Sequence, residues 1–166
     1  MEARRALAIT AVLAGVGLAA AAIAAPALAR THTIRVYAPR ATSESCTRVF
    51  PLKRTVASPA VLTGALRALL AGPTQAERAR GYGGWFSRQT AGHLRSVRIA
   101  GGVAYVDFRD FARHVPNASS SCGSALLLAQ LDRTAKQFPT VGRAVYSFDG
   151  SRRAFYEWLQ RDAPSS

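Results

Sequence analysis

Residues 94–108 read LRSVRIAGGVAYVDF, two β-rich alternating runs on either side of Gly101-Gly102. Alternation at period two is the pattern of a strand that turns one face to a core and the other to water. Two consecutive glycines readily adopt the positive φ angles of a two-residue hairpin turn. The stretch therefore predicts an antiparallel hairpin, Leu94–Ala100 joined to Val103–Phe108. A chain built around such a hairpin is part sheet, and its neighbours in sequence must supply the elements that cover it.

Upstream, His32–Ala38 alternates and ends at Pro39, which predicts a first strand, and the polar run Arg40–Thr47 reads as a connection holding Cys46. Arg48–Val56 sets Phe50, Leu52 and Val56 at period two, with Pro51 demoting that strand to an edge or a bulge. Ser58-Pro59 has the form of an N-cap followed by proline at N1, and Val61, Leu62, Ala65, Leu66, Leu69 and Leu70 recur at helical spacing up to Gly72-Pro73. Thr74–Gln89 mixes Gly81, Gly83 and Gly84 with Tyr82, Trp85 and Phe86 and reads as an ordered surface loop with aromatic anchors.

Downstream, a loop carrying Asp110, His114 and Asn117 leads through a serine-rich cap into a second helix, whose stripe is Leu128, Leu131, Ala135 and Phe138. Pro139 stops it. Arg143–Phe148 is a fifth strand, Asp149-Gly150 a turn, and Arg152–Gln160 a last short helix burying Phe155, Trp158 and Leu159. The order is ββαββαβ with a C-terminal helix. It predicts an α+β two-layer sandwich: one mixed five-stranded sheet with the helices on one face.

The first 29 residues read as a targeting segment: Arg4 and Arg5, an apolar run from Ala6 to Ala25, and the small-x-small pattern Ala27-Leu28-Ala29. Two fates are open, cleavage near Arg30 or retention of residues 6–29 as an anchor, since about 20 apolar residues span a bilayer. No cysteine stands at the junction to carry a lipid. Residues 30–166 are expected to form a single domain, secreted or extracytoplasmic.

The chain carries 22 basic and 9 acidic side chains; without Arg4, Arg5 and Glu2 the remainder keeps 20 against 8, a formal charge of +12. Such charge attracts polyanions, which outside a bacterial membrane means wall polymers, lipid headgroups or extracellular nucleic acid. Only Lys53 and Lys136 are lysines, so the charge is nearly all arginine, dispersed without a dense basic block. Cys46 and Cys122 in an exported chain predict one disulfide. A Cys/His metal site is the other reading, although neither cysteine has a CxxC or HxxxH neighbour.

Three stretches in order resemble the GerMN domain, a bacterial sporulation and spore germination family. Leu69-Leu70-Ala71-Gly72-Pro73-Thr74 with Glu77 is similar to the family's LL-x-GPT-x-x-E segment, and Val97–Phe108 is similar to its hairpin ending in Val106-Asp107. Gln137-Phe138-Pro139-x-Val141, running to Phe148-Asp149-Gly150, is similar to its QFP-x-V and DG pattern. The resemblance spans roughly residues 33–150. It implies a non-catalytic, extracytoplasmic envelope domain with a fold like the ring-building modules of secretion and sporulation complexes. Its members are often lipoproteins, and here the lipobox cysteine is missing.

Asp107, Asp110 and His114 could together support hydrolysis or hold a metal ion. The competing reading makes Asp107 a turn-stabilising residue that accepts hydrogen bonds from turn N–H groups. Ser119, Ser120, Ser121 and Ser124 lie where helix capping explains them, and no G-x-S-x-G elbow is present. The glycines of 81–84 lack phosphate-loop spacing. If Trp85 is exposed beside Arg80 and Arg88, the loop with Tyr82 becomes a contact surface, because aromatic residues and arginine dominate binding hot spots.

The expected function is a non-enzymatic envelope module that binds a protein partner or an anionic wall polymer through Arg80, Tyr82, Trp85 and Arg88, without cofactor or metal. Membrane attachment would come only through an uncleaved N-terminal segment. The alternative is a secreted hydrolase acting on envelope material through Asp107, Asp110 and His114. Nucleic-acid binding would have charge but no recognisable docking motif.

Overall fold

A computed structural model describes residues 30–164. The expected targeting segment lies outside the described residues. The hairpin at 94–108 forms as read: β3 (Leu94–Ala100) and β4 (Val103–Phe108) are antiparallel, with Ala100 opposite Val103 and φ of +55° and +74° at Gly101 and Gly102. One irregularity interrupts the ladder between Leu94 and Ser96. β5 (Arg143–Phe148) lies parallel to β4, so Ala104, Val106 and Phe108 share a buried face with Ala144, Tyr146 and Phe148.

The other two strands, β1 (Thr31–Ala38) and β2 (Phe50–Ala57), pair antiparallel with Thr31 opposite Ala57 and Ala38 opposite Phe50. They form a sheet of their own. The α+β class and the order of elements are as read, but the five strands divide into a two-stranded and a three-stranded sheet instead of one continuous sheet. The physical reason lies in α3 (Ser121–Ala135), whose end and following turn supply side chains to the outer edge of β1. Gln137 exchanges hydrogen bonds with the Arg35 N–H (2.9 Å) and C=O (2.7 Å), while the Tyr37 N–H donates to Thr134 and its C=O accepts from Gln130. Side chains stand where a neighbouring strand would pair, and they satisfy the N–H and C=O groups of Arg35 and Tyr37.

Two helices join the sheets. α1 (Val61–Leu70) packs on β1, β2 and β3, and α3 packs on α1, β1 and β5. α1 buries Leu62, Ala65, Leu66, Leu69 and Leu70 at the spacing seen in the sequence. It starts after Ala60, not after Ser58: the Ser58 hydroxyl accepts from the Ala60 N–H and turns the chain over Pro59. The stripe of α3 also differs. Leu127 rather than Leu128 is fully buried with Leu131 and Ala135, and polar Gln130 and Thr134 are buried beside them because they serve the β1 edge.

The segment 74–89 is not all loop. Its start is α2 (Gln75–Ala79), closed by a capping box in which the Thr74 hydroxyl accepts from the Glu77 N–H and Glu77 accepts from the Thr74 N–H. The far end of the core is aromatic. α4 (Arg152–Trp158) brings Phe155 against Phe108, Tyr146 and Phe148, with ring centroids 4.9–6.1 Å apart. Phe111, just after β4, is fully buried among Phe86, Phe108, Phe148 and Trp158.

Candidate binding site

The Gly81–Gly84 segment is stitched antiparallel to the end of β1: Ala41 N–H donates to Gly81 C=O (2.9 Å) and Gly83 N–H to Pro39 C=O (3.0 Å). This pairing brings Arg40 beside Tyr82, 42 residues away in sequence. Arg40 Nη2 donates to the Tyr82 hydroxyl (2.9 Å), and the guanidiniums of Arg40 and Arg80 lie over the Tyr82 ring, 4.7 and 5.8 Å from its centroid. Cations over an aromatic face are held by the ring quadrupole, so the tyrosine keeps two arginines in one place.

A groove of ≈ 340 Å³ opens beside this layer, lined by Arg40, Glu44, Arg78, Tyr82, Leu126 and the Cys46–Cys122 disulfide. Arg78 rests on the Pro73 carbonyl, leaving most of its N–H groups for solvent. The four sequence-chosen residues therefore separate. Arg80 and Tyr82 stay together, while Trp85 turns half-buried onto α3, its indole N–H donating to Gly123 C=O (3.1 Å) and its backbone N–H to Gln130 (3.3 Å). Arg88 is exposed and does not line the groove. Gly84 has a φ of +125°, and a Cβ there would come within 2.6 Å of the Gln130 amide; glycine lets the loop approach α3 at that point.

Sequence reasoning missed Arg40, Arg78 and Gln130. Arg40 reads as one more dispersed arginine, and only pairing across the chain makes it a partner of Tyr82. Gln130 carried a weak signal, a polar residue one position before Leu131 on a helix that must bury its face.

Asp107, Asp110 and His114 are each held in separate hydrogen bonds. Asp107 Oδ1 accepts from the Ser147 hydroxyl (2.7 Å) and the Gly150 N–H (2.8 Å), and Oδ2 meets Arg95 at 3.2 Å. Asp110 Oδ1 accepts from the Ala112 N–H (2.8 Å). His114 Nε2 accepts from Arg113 (3.2 Å), and among the described residues no hydrogen bond joins His114 to either aspartate. No cluster of three His, Cys, Asp or Glu among the described residues is placed to hold a metal ion.

A family model, Germane: Sporulation and spore germination, matches residues 35–153. Among solved structures, the tandem GerMN domains of the sporulation protein GerM from Bacillus subtilis match with a TM-score of 0.52 and 18% identity, over 78% of this chain and 43% of that one. This chain thus spans less than half the length of that relative. A Clostridium perfringens structure described as a "Putative Lipoprotein" matches with a TM-score of 0.41 and 18% identity, over 76% of this chain and 80% of that one. A comparison with curated proteins found no match.

Proposed function

This chain belongs to the Germane (GerMN) family of sporulation and spore germination domains, and from that membership we propose that it is a non-catalytic binding module that docks an anionic partner of the cell envelope. The observation that carries the reading is the layer of Arg40, Tyr82 and Arg80 beside the disulfide-lined groove. Tyrosine and arginine combine large contact area with directed donors, and a ring that pre-positions two guanidiniums lowers the entropy lost on binding. An extracytoplasmic location is supported by the Cys46–Cys122 disulfide, since such bonds persist in oxidising compartments. Absence of catalysis is supported by Asp107, whose oxygens are taken up by Ser147, Gly150 and Arg95.

Co-sedimentation of the full chain with purified cell-wall sacculi across a salt series, with DNA as competing polyanion, tests the reading. Retention at high salt, undiminished by DNA and lost in Tyr82→Ala, is the expected result. Release at moderate salt, or equal capture by DNA, would overturn wall-polymer recognition, because bare charge attraction is screened by salt and indifferent to the polyanion; the partner would then be sought among envelope proteins.

A further inference from the structure

A second, separate cleft of ≈ 690 Å³ lies between the start of β3, the turn after β4 and the turn after β5, lined by His93, Arg95, Arg109, Asp110, Arg113 and Asp149. Its carboxylates are already engaged. Asp149 Oδ1 meets Arg95 (3.2 Å) and its Oδ2 accepts from the Asp110 N–H (3.2 Å), while Asp110 Oδ1 holds the Ala112 N–H. Arg95 is further tied to Asp107 at 3.2 Å.

Arg109 and Arg113 are in a different state. Arg109 donates from Nη1 to the Gly92 carbonyl (3.1 Å) and Arg113 from Nε to His114 Nε2 (3.2 Å). Neither partner is a carboxylate, and among the described residues neither guanidinium forms an ion pair. Each keeps free N–H groups of its five. His93 packs edge-on against His114, ring centroids 5.2 Å apart, and against Phe111 at 6.1 Å. Burial holds the His93 imidazole below its usual range, and His114, Arg113 and Arg109 push it the same way, against a pull from the Thr90 carbonyl. The charged neighbours that act on His93 are thus His114, Arg113 and Arg109.

We propose that this cleft binds a phosphate group through Arg109 and Arg113, with His93 in its wall. Two guanidiniums offer more N–H groups than the two oxygens of a carboxylate can take, and arginine presents them as a fork matched to phosphate. Asp110 and Asp149 line the same cleft, Asp149 paired with Arg95. The site does not depend on the Tyr82 groove, so either can fail alone.

The test is NMR observation of the three imidazoles of the full chain, His32, His93 and His114, during titration with inorganic phosphate, a phosphomonoester and a glycerol-phosphate oligomer. His93 and His114 signals should shift saturably and the His93 titration midpoint should rise, while His32 on β1 stays still as the internal reference. Arg109→Gln/Arg113→Gln should weaken the apparent affinity by about tenfold or more, as loss of charge-assisted hydrogen bonds implies, with the unfolding temperature unchanged. Tighter binding of the oligomer supports the site with a polymer as its source, and tighter binding of the monoester supports it with a terminal phosphate. Equal shifts at His32, or wild-type affinity in the double variant, would overturn the proposal.

Discussion

Glu77 does several jobs with one carboxylate. It closes the capping box of α2 by accepting from the Thr74 N–H (2.8 Å), and it forms a two-pronged pair with Arg54 on β2, with both side chains largely buried. Burial pushes its pKa up, but the Arg54 hydrogen bonds, the Thr74 N–H and the Arg54 charge outweigh that and hold it below the usual carboxylate value. A carboxyl with a depressed folded pKa stabilises the fold above its unfolded pKa, and the contribution is lost as pH falls through the folded one. Glu77→Gln should cost about 3 kcal/mol at neutral pH, since it leaves the Arg54 charge buried without a counterion. Urea unfolding at pH 7 and again at strongly acidic pH checks this: the difference between variant and wild type should shrink in acid. His93 works in the opposite chemical sense. Its folded pKa is also depressed, but here the neutral form is favoured, so the unfolded chain binds the proton more readily. Stability should fall as pH drops below about 6.5, the unfolded value, and His93→Gln should flatten that slope in unfolding measured between pH 8 and pH 5.

At the scale of elements, α3 acts as a helix and as a substitute strand. Gln130, Thr134 and Gln137 recur at three- and four-residue spacing, so they share one side of the helix and its following turn, and they meet alternate backbone groups of β1. Gln130 also holds the Trp85 N–H. Gln130→Ala should therefore expose two backbone groups at once and cost about 2 kcal/mol. Hydrogen exchange locates the effect: the Trp85 amide should exchange faster, while amides of the β4–β5 ladder should not. Gly72 sets another element boundary. Its φ is +74°, and a Cβ there would collide with the backbone carbonyl of Phe86. Gly72→Ala should lower the unfolding temperature, because the obstacle is main chain and cannot swing away. The glycine of the GPT stretch is thus explained by a close approach between the end of α1 and the loop that carries Phe86.

Across the whole molecule, the disulfide ties the β1–β2 connection to the first turn of α3, across a sequence separation of 76. Closing a loop of that length restrains the unfolded chain by about 4 kcal/mol in the chain-entropy model. Cys46→Ser/Cys122→Ser should lose about that much in denaturant unfolding, and reduced wild type should match it. The bridge also lines the groove beside Tyr82, so the double variant tests whether binding needs a rigid rim.

Local patterns determined the elements of this protein: the Gly-Gly hairpin, the leucine face of α1, the aromatic C-terminal helix and the order in which they occur. Those signals are carried by residues within one turn or one strand of each other, where backbone geometry alone sets the period. The pairing of Cys46 with Cys122 followed from composition, since two cysteines have one way to pair. Short α2 was hidden because five residues are too few to show a period, although its Thr74–Glu77 box was in plain view. Tertiary structure alone decided the division into two sheets, since whether a strand edge meets another strand or a row of glutamines depends on where a helix docks. It likewise decided which arginines count. Twenty basic side chains follow Arg30 or include it, and only folding sets Arg40 over Tyr82 and leaves Arg109 and Arg113 without a carboxylate, because charge is written along the chain but a site is made by what lies across it.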